Sequence, residues 1–304
     1  MQDAHETGRP RRSKKALLPF GVRRSIQRTM VRAPIPTSDP GRRVVVLLYH
    51  SIHPSKSFAS ATPSLFSEHL TWIEEHCDLF TFEDALAIAS GPRRARPRVA
   101  IVFDDGYADV HTYAVPALAE RGIRATFFLT LGMMERNPEV IARMAHLQHA
   151  SADEVEGLSW SQVLEMQQTG MVFGSHGVHH VNLARADAET VRTEARGSKE
   201  RLEDRLGMEV GCFAYPFGKP KLHFTPRTMD LIASSGYRIA GTTTFRRVRP
   251  TDDPMAIPRI SITNDPIEML EAKVLGRLDL IGLYQLYAPA WASRVISPET
   301  SVTA

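Results

Sequence analysis

The chain has 304 residues, of which 43% are hydrophobic, 23% charged and 8% aromatic, a balance that suits a soluble globular protein with a sizeable core. Its net charge of +3 hides an asymmetry: residues 1–43 carry 11 Lys/Arg against 3 Asp/Glu, leaving 26 against 31 for the rest. The basic character therefore belongs to an N-terminal extension, while the body has no nucleic-acid footprint and no apolar run near the ~20 residues of a membrane-spanning helix.

The extension, residues 1–43, is rich in Pro, Ser and Arg and is expected to be disordered. PRRSKKALLPFG superficially resembles a twin-arginine export signal, but the GVRRSIQRTM that follows is charged where an apolar region is required. Met30 is an alternative start, and the basic segment could touch a membrane surface or an anionic polymer. Without an export signal, the expected location is cytoplasmic. Cys77 and Cys212 lie far apart and read as free thiols.

From residue 44 onward, short apolar runs alternate with helix-period segments. VVVLLYH (44–50) is a continuous β-branched strand, followed by a helix through SLFSEHLTWIEEHC capped by Thr62 or Ser64, and a short helix in TFEDALAIAS. RVAIVF (98–103) is the next strand and YADVHTYAVPALAERG one helix ending at Gly122. Strand RATFFLT (124–130), a helical region 138–150, helix SWSQVLEMQQTG capped by Ser159 and strand MVFGSH (171–176) come next. A long helix over about 187–206, strand GCFAYP (211–216), helix TPRTMDLIASSG and strands YRIAGTTT and AIPRISI complete the repeats. DPIEMLEAKVLGRLDLIGLYQLY (265–287) reads as an amphipathic helix capped by Asp265 that packs on the body, followed by a frayed tail to 304. Strands separated by helices mean a parallel sheet with helices outside, and about 220 residues of such repeats suit a closed or nearly closed (β/α) barrel. No glycine-rich phosphate loop opens any helix, so nucleotide binding has no support.

Chemistry in such barrels sits at the C-terminal strand ends. Those ends supply His50, the adjacent Asp104 and Asp105, Thr130, His176 with His179 and His180, Tyr215-Pro216, and Arg259. If SHGVHH turns helically, His176 and His180 face the same way, and two imidazoles with one carboxylate make a common hydrolytic metal site. Alternatively, they are loop histidines, and Asp104-Asp105-Gly106 is a turn that merely ends a strand. With a cation present, one carboxylate of the pair can serve as ligand while the other stays free to take a proton.

FDDGY, SHGVHH and FAYPFG, in this order and on these strands, resemble the polysaccharide deacetylase family (NodB homology domain, carbohydrate esterase family 4), in the branch that begins with a Tyr-His strand, here LLYHSI. The resemblance covers about Val44 to Thr263. It implies a distorted (β/α)7 TIM-like barrel over 44–264, with Asp105, His176 and His180 as ligands of a divalent metal, Zn²⁺ or else Co²⁺ or Ni²⁺. It also implies Asp104 as general base toward a metal-bound water, and removal of N-acetyl groups from an N-acetylhexosamine-containing glycan or glycolipid. A backbone N–H near Tyr215 would stabilise the oxyanion, and Tyr215, Pro216 and Phe217 would wall the sugar groove. Three departures stand out. Gly177 occupies a position usually held by Ser/Thr, so a supporting hydrogen bond is expected to be missing. Ala214 replaces the family's arginine, which leaves Arg259 to orient Asp104. The late Leu-x-His motif is absent, which leaves His50, or else His179, as general acid. Competing functions are a same-fold amide or formamide hydrolase acting on a small molecule, and a non-catalytic carbohydrate-binding protein.

Overall fold

The computed structural model describes residues 44–279. The expectations for residues 1–43, for the 280–287 end of the last helix and for the tail to 304 lie outside the described residues. β1 (Val44–Tyr49) is buried along its whole length and pairs in parallel with β3 (Arg98–Phe103) from Val44↔Arg98 to Tyr49↔Phe103. Between them run α1 (Pro63–His76), whose cap is Thr62 rather than Ser64, the two-residue β2 (Asp78–Leu79) and α2 (Ala85–Ser90). β2 pairs with the first residues of β3. Its two exposed side chains carry no burial pattern, so nothing in the sequence marks it.

After β3 the expected single helix is two, α3 (Asp109–Tyr113) and α4 (Val115–Glu120). Pro116 lies in the first turn of α4 and has no N–H to continue the ladder from α3, so the chain bends there. Then follow β4 (Thr126–Leu129), α5 (Leu131–Met134), α6 (Pro138–Gln148), α7 (Trp160–Gln168) with Ser159 as its cap, and β5 (Val172–Ser175). The remaining elements are α8 (Ala188–Leu206), β6 (Cys212–Ala214), α9 (Pro226–Ser234), β7 (Ile239–Gly241), β8 (Ile260–Ser261) and α10 (Ile267–Val274). Asp265 does not cap α10. Its carboxylate accepts from the Thr263 N–H and pairs with the buried Lys273, so Pro266 opens the helix instead.

The strands form one parallel sheet in the order β7-β6-β5-β4-β3-β1-β8. The sheet curls because its edges meet: β8 pairs with β1, and Ile257, just ahead of β8, bridges Gly241 at the end of β7. This is the distorted (β/α)7 barrel architecture. Side chains alternate strictly along the strands. Odd-numbered residues (Val45, Leu47 and Tyr49; Phe127 and Leu129; Phe213 and Tyr215) pack outward beneath the helices with Phe66, Leu70 and Ile73. Even-numbered residues (Val44, Val46 and Leu48; Phe128; Cys212 and Ala214) point inward, where Phe82, Ala85 and Ala89 plug the barrel. Each fully buried large apolar side chain contributes about 1.5–3 kcal/mol. Leu270, Val274 and Leu278 are buried in the outer cluster, so the C-terminal helix packs on the barrel.

Candidate active site

The inward parity carries past the ends of β3 and β5 to the barrel mouth, where Asp104 and His176 project. Asp104 extends the β1–β3 ladder, its N–H donating to Tyr49 O at 3.0 Å. Asp105 then adopts a left-handed backbone with φ +72°. An ordinary strand residue would send its side chain to the opposite face. This reversal turns the Asp105 carboxylate to the same rim as Asp104.

The two acids face different partners. Arg259 is fully buried and grips Asp104 through both guanidinium ends, Nη1–Oδ1 at 2.7 Å and Nη2–Oδ2 at 2.8 Å, while its Nε donates to Thr242 O at 3.0 Å. The guanidinium lies over the Phe128 ring, 5.2 Å from its centroid. Arg259 precedes the two paired residues of β8 rather than ending that strand, and it reaches the site by crossing the seam. Gly241 permits the crossing, because a Cβ there would stand 2.7 Å from Arg259 Nε and 2.8 Å from its Cδ.

Asp105 Oδ1 lies 3.4 Å from His176 Nε2 and 3.4 Å from His180 Nε2. The segment between these histidines is not helical: Gly177 (φ +80°) and His180 (φ +53°) are left-handed, and that loop still brings the two rings to 5.0 Å. His176 Nδ1 lies 2.8 Å from Ala214 O, which can only accept, so that nitrogen carries a proton and Nε2 is the one that faces Asp105. All three residues are buried, and one ligand atom from each lies within 4.8 Å of the others. Two donors bonded to a tetrahedral zinc at about 2.05 Å stand about 3.3 Å apart. The observed N···O separations fit that spacing, and a carboxylate with two imidazoles is a suitable donor set for a divalent ion.

Burial alone would push the Asp105 carboxyl up, but the two imidazoles beside it outweigh burial and hold it well below the usual carboxylate range. Burial pulls His180 down, and Asp105 does not fully offset it. Burial pulls on His176 as well, but the Asp104 charge together with Asp105 raises it overall.

The other expected residues divide. His50 is half-buried at the end of β1, its backbone N–H held by Ser60 Oγ at 2.9 Å. Its ring forms no hydrogen bond to either aspartate and acts on Asp105 through charge. His179 turns away, with Nδ1 2.6 Å from Glu194 Oε1. Tyr215 does not wall a groove: it follows the outward parity of Phe213, is fully buried, stacks on Phe224 at 4.2 Å and donates its hydroxyl to Met255 O. Its N–H is taken by Gly241 O at 3.1 Å, so it is not free for an oxyanion. Pro216 is buried too, whereas Phe217, half-buried, sets its ring 4.7 Å from that of His180.

Three contributors were not legible as site residues. Asp109, buried in the first turn of α3, accepts from Ser51 Oγ (2.7 Å), the Ile52 N–H (3.2 Å) and Lys56 Nζ (3.0 Å), fastening the loop that follows His50. Tyr107 is fully buried with an unpartnered hydroxyl, packs against Phe58 at 5.4 Å and feels the Asp105 charge. Glu194, on α8, is buried under the His176–His180 loop. Burial of Glu194 could have been read from the apolar spacing of Val191, Ala195 and Leu202, which places it on the inner face of a helix otherwise rich in charge.

A parallel barrel that sets an arginine-clamped carboxylate beside a carboxylate–imidazole triad at its C-terminal rim belongs to a class of hydrolytic centres able to hold a cation. The family model described as polysaccharide deacetylase matches residues 91–240. YxkH of Bacillus subtilis is 25% identical over 211 residues, 69% of this chain and 67% of its own length. A poly-beta-1,6-N-acetyl-D-glucosamine N-deacetylase of Staphylococcus aureus is 23% identical over 221 residues, 69% of this chain and 70% of its own. Among solved structures, IcaB from Ammonifex degensii superposes with TM-score 0.61 at 25% identity, covering 78% of this chain and 98% of that one. The Streptococcus pyogenes deacetylase PplD, solved with acetate, superposes with TM-score 0.63 at 24% identity over 75% of this chain and 96% of that one. Over residues 91–240 the chain is similar to polysaccharide deacetylases, which are hydrolases of carbon–nitrogen bonds other than peptides. No helix among the described residues is long and apolar enough to cross a membrane.

Proposed function

We propose that this protein is a divalent-metal-dependent N-deacetylase of an N-acetylhexosamine-containing glycan, with Asp104 as general base. The observation that carries the reading is the separation of the paired acids, Asp104 on Arg259 and Asp105 on His176 and His180. Asp105, His176 and His180 would hold the ion, Zn²⁺ by preference of an N₂O donor set, with Co²⁺ or Ni²⁺ as substitutes. When bound, the ion supplies Lewis acidity toward water and toward the acetyl carbonyl oxygen.

The residues of the chain do the rest. Asp104 accepts the proton of the attacking water; Arg259 occupies one lone pair on each of its oxygens and leaves the others available at the rim. The same grip holds the carboxylate in one orientation, which shortens the search for the reactive geometry. His50, at the mouth and in electrostatic range of Asp105, is the group we assign to protonate the departing amine. His179 is committed to Glu194 and is set aside for that role. Phe217 offers an apolar face beside His180 for a sugar ring or its acetyl methyl.

The Staphylococcus aureus relative, by its name, makes a β-1,6-linked N-acetylglucosamine polymer the first substrate to try. The test is acetate release by metal-loaded protein from β-1,6- and β-1,4-linked N-acetylglucosamine oligomers, with Asp104→Asn as control. Acetate from either glycan that disappears in the variant supports the reading. Release of formate from N-formyl amides, with no acetate from any glycan under Zn²⁺, Co²⁺ or Ni²⁺, moves the protein to the small-amide hydrolases. No release from any of these substrates with any of these metals overturns catalysis altogether.

A further inference from the structure

The His176–His180 loop bears an exceptional load: it carries two imidazoles whose separation decides whether a cation fits, yet it has two left-handed residues and no regular ladder of its own. Two of its N–H groups end on α8, and a third reaches α8 through a serine relay. Gly177 N–H donates to Ser175 Oγ at 3.0 Å, Ser175 Oγ to Ser198 Oγ at 2.7 Å, and Ser198 Oγ back to the Glu194 carbonyl at 2.6 Å. Val178 N–H (2.8 Å) and His179 N–H (2.9 Å) both end on Glu194 Oε2, and Glu194 Oε1 takes the His179 ring nitrogen at 2.6 Å. On the far side of the loop, Arg143 Nη1 donates to His179 O at 2.5 Å.

A carboxylate that is only 2% exposed is costly to bury, and no Lys or Arg among the described residues forms a salt bridge with it. Helix anchoring alone does not call for an acid here. A pair of backbone donors that must be held one residue apart does, because a single carboxylate oxygen accepts both through separate lone pairs. The identity of residue 177 follows from the same contact. A Cβ on Gly177 would lie 2.8 Å from Glu194 Oε2, an atom fixed by the hydrogen bonds just described, so any larger residue would drive the carboxylate off the loop.

We propose that Glu194 is the positioning residue of the His176–His180 loop, matched to Gly177: it supplies from α8 the support that a hydroxyl at position 177 would otherwise give. The proposal rests on the reading of Asp105, His176 and His180 as ligands. Glu194 touches neither the cation nor a substrate and acts by fixing the spacing of the two imidazoles.

The test is Co²⁺ titration of metal-stripped protein, followed by isothermal calorimetry and by the visible ligand-field spectrum of the bound ion. Glu194→Ala leaves two buried N–H groups unpaired and is expected to weaken Co²⁺ binding about 10–100-fold and to change the spectrum. Glu194→Asp keeps the charge in a folded chain but withdraws it by one methylene, and the same two changes are expected. Glu194→Gln still offers an amide oxygen to both N–H groups, and His179 can accept from the amide in its other tautomer, so near wild-type binding and spectrum are expected. A structural role confined to helix packing would lower the melting temperature without moving the spectrum. Wild-type affinity and spectrum in both Glu194→Ala and Glu194→Asp overturn the proposal alone. Failure of the wild-type protein to bind Co²⁺ overturns the ligand assignment and the proposal with it.

Discussion

The Asp104–Arg259 pair is the interaction whose removal should be felt most sharply, both in stability and in chemistry. Both side chains are essentially inaccessible, joined by hydrogen bonds of 2.7 and 2.8 Å. Asp104→Asn keeps the shape but strands a buried guanidinium; Arg259→Met keeps most of the volume but strands a buried carboxylate. Breaking one side of such a pair costs about 3–5 kcal/mol. For a barrel of this size, each kcal/mol lowers Tm by about 2–4 °C, so either variant should melt about 6–20 °C lower. The double variant carries neither charge, and replacing a buried pair by neutral groups is often close to neutral. It should therefore regain most of the loss, giving a coupling energy of about 3 kcal/mol or more by chemical denaturation. Activity should not follow stability. Asp104→Asn and the double variant should both lose about 10²–10⁴-fold in acetate release, while Co²⁺ binding persists because Asp105 makes the shorter contacts to the histidines. Additive stability losses within about 0.5 kcal/mol would refute the buried-pair argument. Full acetate release by folded Asp104→Asn would refute the base.

Stripping the protein with a chelator should abolish acetate release, and Zn²⁺ or Co²⁺ at a hundred times its Kd should both restore it and stabilise the fold by about 2.7 kcal/mol in a thermal shift assay. Gly241→Ala should push Arg259 off Asp104, since the new Cβ would meet Nε at 2.7 Å; kcat should fall about 10²-fold while Co²⁺ affinity holds. Tyr215→Phe should cost about 0.5–1.5 kcal/mol through the lost bond to Met255 O and leave kcat unchanged, because its ring is in the outer core. His223 is held down to about 4 by burial and then by Lys219. The unfolded chain takes up its proton near 6.5, so folding stability present at neutral pH should be lost as pH falls from about 6.5 to about 4, by at most about 3 kcal/mol. In metal-free protein, His223→Asn should flatten that part of the stability profile, as read by urea denaturation.

Much of the barrel is legible because its strands are buried on both faces. Runs such as VVVLLY and RVAIVF are continuous and β-branched, and they fold with the bounds their composition suggests. Asp104, Asp105, His176 and His180 follow from where those runs stop. What escaped had a different origin. Strand parity would have placed Tyr215 with Phe213 on the outer face, and reading it as a groove wall set a motif above that alternation. The loop geometry of 176–180 depends on two left-handed residues, of which only Gly177 advertises the freedom in its side chain. Glu194 escaped because AETVRTEARGSKERLEDRL looks solvated by composition, and only its phase relative to Val191, Ala195 and Leu202 marks it as buried. Arg259 was legible as a candidate by elimination, but the crossing that brings it to Asp104 depends on the absence of a side chain at Gly241, a long-range fact no local pattern carries.

The adjacency of the two acids is itself explained by backbone geometry. Successive residues of a strand point to opposite faces, so two neighbouring carboxylates cannot ordinarily serve one centre. Asp104 keeps the inward direction of its strand and meets Arg259 from the seam of the barrel. Asp105 takes φ +72°, a conformation that costs a non-glycine residue on the order of 1–2 kcal/mol, and so returns to the rim to meet the histidines arriving from β5. Repulsion between the neighbours is relieved because each has its own cationic or donor partner, and the partners come from opposite directions: Arg259 across the β7–β8 seam, His176 and His180 from the β5 loop that Glu194 supports. A conformation that is strained in isolation persists where surrounding contacts over-determine it, and here His176 and His180 hold the Asp105 carboxylate while the Thr130 N–H holds its carbonyl. The same backbone reversal that strains Asp105 is therefore what lets one dipeptide supply both a base and a ligand.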